Sequence, residues 1–136
     1  MDPILAPFLG TYAGEGRWRD DSGQSHAYHV RLTLTARDGG LGVAFHHEFH
    51  EEPDVPDVRA DLTLRPVADG LLGFEMGPVR GRGHWGARHL HYTIPLPGNT
   101  VEVTHVFDGG TCLVAGSAER NRAGHFIMWS ETLARG

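Results

Sequence analysis

Hydrophobic and polar residues alternate along most of this chain with a period of two. The clearest stretch covers residues 28–35, where apolar and polar side chains take turns. Because successive side chains of a β-strand point to opposite faces, one face of this stretch is predicted to be buried and the other to meet water. Gly, Pro, Asp and Asn interrupt the alternation at short intervals, which is typical of antiparallel strands joined by turns. The pattern predicts an all-β protein.

The turn positions divide the chain into about ten predicted strands. Their ranges are 11–19, 28–35, 41–50, 58–65, 72–76, 79–85, 88–94, 100–107, 111–119 and 125–133. Before the first strand, Asp2 and Pro3 have the residue types of a helix N-cap and first helical position. A short apolar helical turn is predicted there, formed by Ile4, Leu5, Phe8 and Leu9 and ending near Gly10.

Consecutive strands with short links form an up-and-down meander, and closure of the meander into a barrel removes its exposed edges. A chain of 136 residues has the size of one domain, so we expect a single β-barrel domain over residues 1–136. Barrel diameter grows with strand number, and eight strands already suffice to hold one small ligand. We therefore expect an internal cavity that binds a small apolar or amphipathic molecule.

The inward rows of the predicted strands supply the side chains that would line this cavity. Most of them are aliphatic or aromatic. The predicted ligand-binding residues are Tyr28, Val30, Leu32, Phe45, His47, Leu62, Phe74, Val103, His105 and Trp129.

Two histidines, His47 and His105, share a face with apolar neighbours. A histidine in such a row is usually a hydrogen-bonded core residue. The alternative is a barrel enzyme, an isomerase, cyclase or hydrolase that uses one of these rings as general acid or base. That alternative requires an acidic or hydroxyl partner beside the ring, and the sequence does not locate one.

Composition narrows the class of partner. The chain has 12 Lys and Arg against 17 Asp and Glu, a formal charge of -5, and no basic stripe, which argues against nucleic acid as a partner.

Cys112 is the only cysteine, so no intramolecular disulfide forms and a reducing compartment is favoured. The N-terminus lacks a basic leader region, and no stretch approaches the roughly 18 apolar residues that span a bilayer. We expect a cytoplasmic protein without a membrane span, with Cys112 inert.

Ten histidines are many for this length, and His46, Glu48 and His50 fall on one predicted strand face. Two imidazoles and a carboxylate are a ligand set for zinc or iron. Side chains spaced at about 6.6 Å along one strand do not converge on one ion, so a metal site would need an adjacent strand, such as the one carrying His89 or His91. The other interpretation is a solvated polar face.

Two short segments resemble a known group of barrels. The first strand resembles the opening of nitrobindin-like haem-binding barrels, and the Gly-x-Trp start of lipocalins and fatty-acid-binding proteins, in the run Leu9-Gly10-Thr11-Tyr12-Ala13-Gly14-Glu15-Gly16. Tyr12 stands where those families usually carry Trp. The C-terminal segment is similar to the nitrobindin ending, where a histidine before the last strand is the proximal haem ligand, in His125-Phe126 and in Leu133-Ala134-Arg135.

The resemblance implies a calycin-like barrel. It also implies haem b as a cofactor, with His125 as the iron ligand, and Arg135 packed across the Tyr12 ring.

A third interpretation concerns the outside of the barrel, since Trp18 and Trp85 have the pattern of exposed aromatics. Exposed apolar surface of that kind would suit a partner-binding module or a homodimer.

Overall fold

Strands dominate the computed structural model, which describes residues 5–136. Within this range the one helical element is a 3₁₀ turn, Ala6–Phe8, and the rest of the regular structure is ten strands. The strands are β1 (Gly10–Asp20), β2 (Ser25–Arg37), β3 (Gly40–Glu48), β4 (Val58–Ala68), β5 (Leu71–Met76), β6 (Val79–Trp85), β7 (His89–Leu96), β8 (Asn99–Asp108), β9 (Thr111–Ala118) and β10 (Ile127–Arg135). The predicted all-β fold is confirmed. The predicted start at Asp2 and Pro3 lies outside the described residues.

Every strand pairs antiparallel with its neighbours along the chain, and β1 also pairs with β10, which closes the barrel. The closure has a continuous register from Tyr12 opposite Arg135 to Asp20 opposite Ile127. Because both edges of the meander are used in this pairing, no strand edge stays open. The predicted up-and-down barrel of about ten strands is confirmed.

Most strand boundaries differ from the prediction by a few residues, and two of the differences have a clear local reason. β10 begins at Ile127 rather than His125, because the Asn121 side chain accepts the backbone N–H groups of Ala123 and His125 at 2.9 and 3.0 Å and holds 121–125 in a turn. β4 continues beyond residue 65 to Ala68 with a register shift at Pro66. Proline has no N–H for the strand ladder, and a bulge accommodates it.

One end of the barrel, the closed end, is filled by the N-terminal turn. Leu5 and Phe8 are buried there, and the Phe8 ring lies 4.6 Å from that of Phe107. The Tyr12 hydroxyl donates to the Phe8 carbonyl at 2.9 Å, and the Arg135 guanidinium lies 5.1 Å from the Tyr12 ring centre. The expected packing of Arg135 across Tyr12 is confirmed, and together these contacts hold the turn as a plug.

The opposite end, which we call the mouth, is less tightly filled. Inward-facing side chains near it pack against the core but stay partly exposed, whereas their counterparts at the closed end are fully buried. The mouth carries the longest connection, residues 49–57 between β3 and β4. The partly exposed apolar residues around the mouth are Trp18, Phe45, Met76, Val79, Leu96, Val101 and Trp129.

The prediction of exposed aromatics is wrong for Trp85. This side chain is 8% exposed, because it occupies an inward position at the closed-end terminus of β6. Trp18 is partly buried, and its ring packs against that of His26 in a tilted arrangement, with the ring centres 4.2 Å apart. The exposed apolar side chains of the outer wall are aliphatic instead, as at Val106 and Leu113, which face each other between β8 and β9.

Within residues 5–136, no helix has the length and apolar character needed to cross a lipid bilayer.

Candidate functional site

The predicted ligand-binding residues lie on the inward rows of their strands but fall into two groups. Leu32, Leu62 and Phe74 are at most 2% exposed and belong to the packed core. Phe45 and Trp129, by contrast, lie near the mouth and remain partly exposed. Only the second group offers surface to a ligand entering from solvent. Val30 and Val103 are buried with the first group, as are Tyr28 and His105.

A buried carboxylate, Glu131, lies between the two groups. It is 6% exposed on the inward row of β10. The Tyr28 hydroxyl donates to its Oε2 at 2.8 Å, and the His47 Nε2 lies 3.2 Å from the same oxygen. A buried carboxylate is tolerated when it is hydrogen-bonded, and the Tyr28 hydroxyl provides such a bond. We call this arrangement of Tyr28, His47 and Glu131 the interior site.

Gly16 creates the room in which the interior site forms. It lies opposite Tyr28 on one side and opposite Glu131 on the other, since β1 pairs with both β2 and β10. A Cβ atom at this position would stand 2.5 Å from Cζ of Tyr28 and 2.8 Å from Cγ of Glu131. Because glycine has no side chain, the residues of the two flanking strands meet across β1.

Aromatic rings fix the orientation of the His47 imidazole. The ring of Tyr28 stacks on it at 4.7 Å and that of Phe45 at 4.8 Å. Phe49, in the connection after β3, packs against Tyr28 at 5.4 Å. The interior site therefore has an apolar, aromatic surround on the side of the mouth, an arrangement suited to an amphipathic ligand.

Burial, and then the nearby Glu131 carboxylate, raise the pKa of Tyr28 far above its ordinary value. The phenol therefore stays protonated at any physiological pH. It acts as a hydrogen-bond donor to Glu131 and not as a base.

His105 occupies a second polar position deeper in the barrel. Its Nε2 lies 3.1 Å from the Tyr92 hydroxyl, and its Nδ1 lies 4.0 Å from Sγ of Cys112. Burial lowers the pKa of His105 to about 4 and raises the pKa of Cys112 to about 12. The imidazole is neutral and the thiol is protonated at neutral pH, which matches a hydrogen-bonded core histidine and an unreactive cysteine.

The predicted metal set is separated by the fold. His46 Nε2 pairs with Asp57 at 2.8 Å, whereas the His50 ring stacks on His29 at 3.7 Å. β3 pairs with β2 and β4, while His89 and His91 lie on β7 between β6 and β8. The expectation that His89 or His91 completes a site on β3 is therefore wrong, because these strands are not neighbours.

His125, the haem ligand implied by the resemblance, lies in the β9–β10 connection at the mouth. It is half-exposed, and its Nδ1 lies 2.8 Å from Asp21 Oδ1. The contacts described for His125 join it to the β1–β2 connection rather than to the interior site.

Glu131 is not among the site residues predicted from the sequence. A signal was present, because this residue interrupts the inward apolar row of β10 between Trp129 and Leu133. A charged residue at an inward-facing position of the alternating pattern needs a hydrogen-bonding or charged partner. The partner is not visible in the sequence, since Tyr28 is 103 positions away.

The closed antiparallel barrel, the plug at one end and the arginine packed across the first-strand aromatic define a calycin-like, lipocalin-like fold. No protein-family model and no curated protein matches this chain. Solved structures do resemble it.

Rv2717c from M. tuberculosis matches with a TM-score of 0.75 at 14% identity, over 100% of this chain and 99% of that one. An S-type phycobiliprotein lyase from Guillardia theta matches with a TM-score of 0.77 at 7% identity, over 98% and 90%. A protein of the DUF3598 family from Nostoc punctiforme matches with a TM-score of 0.68 at 12% identity, over 97% of this chain and 49% of that longer one. At these identities the likeness concerns the fold alone.

Proposed function

We propose that this protein binds a small amphipathic molecule through the mouth of the barrel, with the polar group of the ligand at Glu131. The observation that carries the proposal is a buried carboxylate, held by a phenol and an imidazole, beneath aromatic side chains that remain open to solvent. A few convergent polar groups in an otherwise apolar pocket are the usual form of a small-molecule site. Barrels of the calycin type are known to hold one small ligand inside.

The chemistry of Glu131 indicates what the ligand presents. Within residues 5–136, both contacts made to this carboxylate reach Oε2. A carboxylate has acceptor sites on both oxygens, so Oε1 is able to accept a further hydrogen bond. We infer a ligand with an N–H or O–H donor at its polar end and an apolar body that packs on Phe45 and Trp129.

Blocking the mouth tests this proposal. Ala60 faces inward from β4, directly opposite Phe45, and is partly exposed. Ala60→Trp should fill the mouth and weaken binding of Nile red, a neutral amphipathic dye, by roughly tenfold or more, as expected for loss of a buried apolar contact area. The matched control is Ala115→Trp, on the outer wall of β9, which should bind the dye as the parent does.

The readout is dye fluorescence against protein concentration. Absence of binding to the parent protein, or equal binding by Ala60→Trp, would contradict an interior site. Native mass spectrometry of the purified protein complements the titration, because it shows directly any small molecule retained from the host.

The resemblance of the chain ends to nitrobindin-like barrels implies haem as a separate candidate ligand, which would be held at His125 and not at Glu131. The donor chemistry fits, since His125 Nδ1 is bound to Asp21 and a carboxylate on the second nitrogen is a usual partner of a metal-bound imidazole. His125 would hold the iron, and bound haem would supply an open coordination position for a diatomic ligand. Addition of haem should then shift the Soret band relative to free haem, and His125→Ala should abolish the shift. No shift with the parent protein, or the same shift with that variant, would contradict haem binding through His125.

Acid–base catalysis inside the barrel is the second candidate function. The observation that favours it is the contact of His47 with Glu131, because an imidazole oriented by a carboxylate is a common general base. His105 is less suited, since it is fully buried away from the mouth. Hydrolysis of p-nitrophenyl butyrate above background, lost in His47→Gln and kept in the exposed-site control His84→Gln, would support an enzyme. Equal rates in both variants would speak against it.

A further inference from the structure

Three side chains of the outer wall converge at the mouth end of the barrel. Glu15 and His29 lie opposite each other on β1 and β2, and His50 follows β3. One donor atom from each lies within 4.8 Å of the other two. The His29 Nδ1 is 2.6 Å from Glu15 Oε1, and the rings of His29 and His50 are 3.7 Å apart. We call these three residues the outer cluster.

We propose that the outer cluster binds a divalent transition-metal ion, with Zn²⁺ as the preferred ion. Two imidazoles and one carboxylate are a recurrent zinc ligand set. Imidazole nitrogen favours zinc, copper or nickel, while Mg²⁺ and Ca²⁺ prefer sites made of oxygen ligands alone. The residue types thus select the class of ion.

Small movements of the three side chains would bring their donor atoms to the spacing of a zinc site. Tetrahedral zinc with bonds of about 2.0–2.1 Å separates neighbouring ligand atoms by roughly 3.4 Å. In the outer cluster the donor atoms lie within 4.8 Å of one another, and His29 Nδ1 and Glu15 Oε1 are 2.6 Å apart. The Glu15 and His29 side chains are more than half exposed, whereas that of His50 is 26% exposed. The Glu51 carboxylate, 3.7 Å from His50 Nε2, or a water molecule would supply the fourth ligand.

The outer cluster is separate from the interior site. Glu15 and His29 point outward, while the next residues, Gly16 and Tyr28, point inward. The two sites therefore lie on opposite faces of the same wall, and the metal proposal does not depend on ligand binding in the interior. A depression of the outer wall reaches Glu15 and His29, which gives an ion access from solvent.

A second group of histidines on the outer wall provides a matched control. His84 Nδ1 lies 2.9 Å from His89 Nε2, and His91 stacks on His84 with its own Nδ1 2.8 Å from Thr104 Oγ1. These histidines belong to β6 and β7, and the contacts described for His84 join it to other histidines and to no carboxylate. They offer imidazoles on the outer wall without the mixed ligand set, and His84 among them is exposed.

A bound ion would also fasten the connection after β3 to the wall. His50 belongs to that connection, whose Phe49 packs on Tyr28 and whose Glu52 pairs with His26 at the mouth. Since a ligand that binds only the folded state stabilises it, zinc should raise the thermal midpoint of the protein.

Calorimetric titration of tag-free, chelator-treated protein with Zn²⁺ tests the proposal. We expect one site of micromolar affinity. Glu15→Gln and His50→Gln should each weaken it roughly tenfold or more, since even outer-shell partners of a metal change its affinity by that factor. His84→Gln should bind zinc as the parent does, and Mg²⁺ should give no saturable heat. Far-UV circular dichroism establishes that each variant is folded.

The thermal midpoint is the second readout. It should rise with zinc in the parent and in His84→Gln, and stay constant in His50→Gln. Absence of saturable zinc binding by the parent overturns the proposal. An equal loss of affinity in His84→Gln and His50→Gln also overturns it, because the ion would then bind elsewhere on the wall.

Discussion

Gly16 is the residue on which the interior site depends most directly. The side chains of Tyr28 and Glu131 occupy the space that a side chain at position 16 would need. Strand glycines usually weaken a sheet, because they add no packing and lose more backbone entropy on folding. Here the open space allows a hydrogen bond between residues of two strands that are not neighbours.

Gly16→Ala should destabilise the protein by roughly 1–3 kcal/mol, the usual cost of overpacking a filled interior. The new Cβ would displace the Tyr28 ring and strain its bond to Glu131. Urea unfolding followed by fluorescence measures the change. Gly110→Ala is the control, because a Cβ there meets nothing within 4 Å, and its stability should match the parent. Equal midpoints for both variants would contradict the role assigned to Gly16.

Tyr28→Phe isolates the hydrogen bond itself. The substitution removes one hydroxyl and leaves Glu131 with His47 as its remaining partner. A buried acceptor that loses a donor typically costs about 1–3 kcal/mol, so the free energy of unfolding should fall by that amount. A double-mutant cycle with Glu131→Gln should show coupling between the two positions. Additive effects would mean that the bond contributes little.

Among the elements, the N-terminal turn has the clearest structural role. It is only three residues long, yet it closes one end of the barrel through Phe8 and through the bonds that Tyr12 and Arg135 make to it. Arg135 donates to the Pro7 carbonyl at 2.8 Å and to the Tyr12 hydroxyl through Nε at 3.2 Å. The first and last strands therefore hold the plug together.

Arg135→Met keeps the apolar stem and removes the guanidinium. The loss of its hydrogen bonds and of its contact with the Tyr12 ring should lower stability by about 1–2 kcal/mol. Hydrogen exchange should show faster opening of residues 5–9 in particular. Arg17→Met, which removes an exposed bond to Ser25, should change stability little. Unaltered exchange at the N-terminal turn would contradict the plug assignment.

At the scale of the whole molecule, the buried His105 connects global stability to pH. Burial lowers the pKa of His105 to about 4 in the folded state, against an ordinary value of 6.5. Between these values the unfolded chain binds a proton that the folded protein excludes. The contribution of neutral His105 to the free energy of unfolding is therefore complete above pH 6.5. It is lost as the pH falls toward 4, by an amount on the order of 3 kcal/mol.

His105→Gln should flatten this pH dependence, because glutamine can still bond to the Tyr92 hydroxyl but does not titrate. Chemical unfolding at a series of pH values between 6.5 and 4 measures the slope for each protein. If the free energy of unfolding of His105→Gln changes with pH as steeply as that of the parent, groups other than His105 cause the pH dependence.

The strands could be predicted from the sequence because the alternation of apolar and polar side chains depends on neighbouring residues. Val79–Trp85 has the predicted bounds, and the other strands differ by a few residues at their ends. The same alternation predicts which residues face inward. It places His47 and His105 among apolar neighbours, where the structure also has them. The predicted start of the last strand at His125 was wrong because the Asn121 side chain accepts two backbone N–H groups and holds the preceding residues in a turn.

The strands and the face on which each side chain lies could be predicted from the residue pattern, because side-chain alternation depends on neighbouring residues alone. The fold decided which inward residues are packed and which open toward the mouth. It also decided the contacts across the closure, where β10 brings Glu131 to Tyr28 and β1 brings Glu15 to His29 and His50. These contacts depend on strand register and on the curvature of the closed sheet, which a local pattern does not specify.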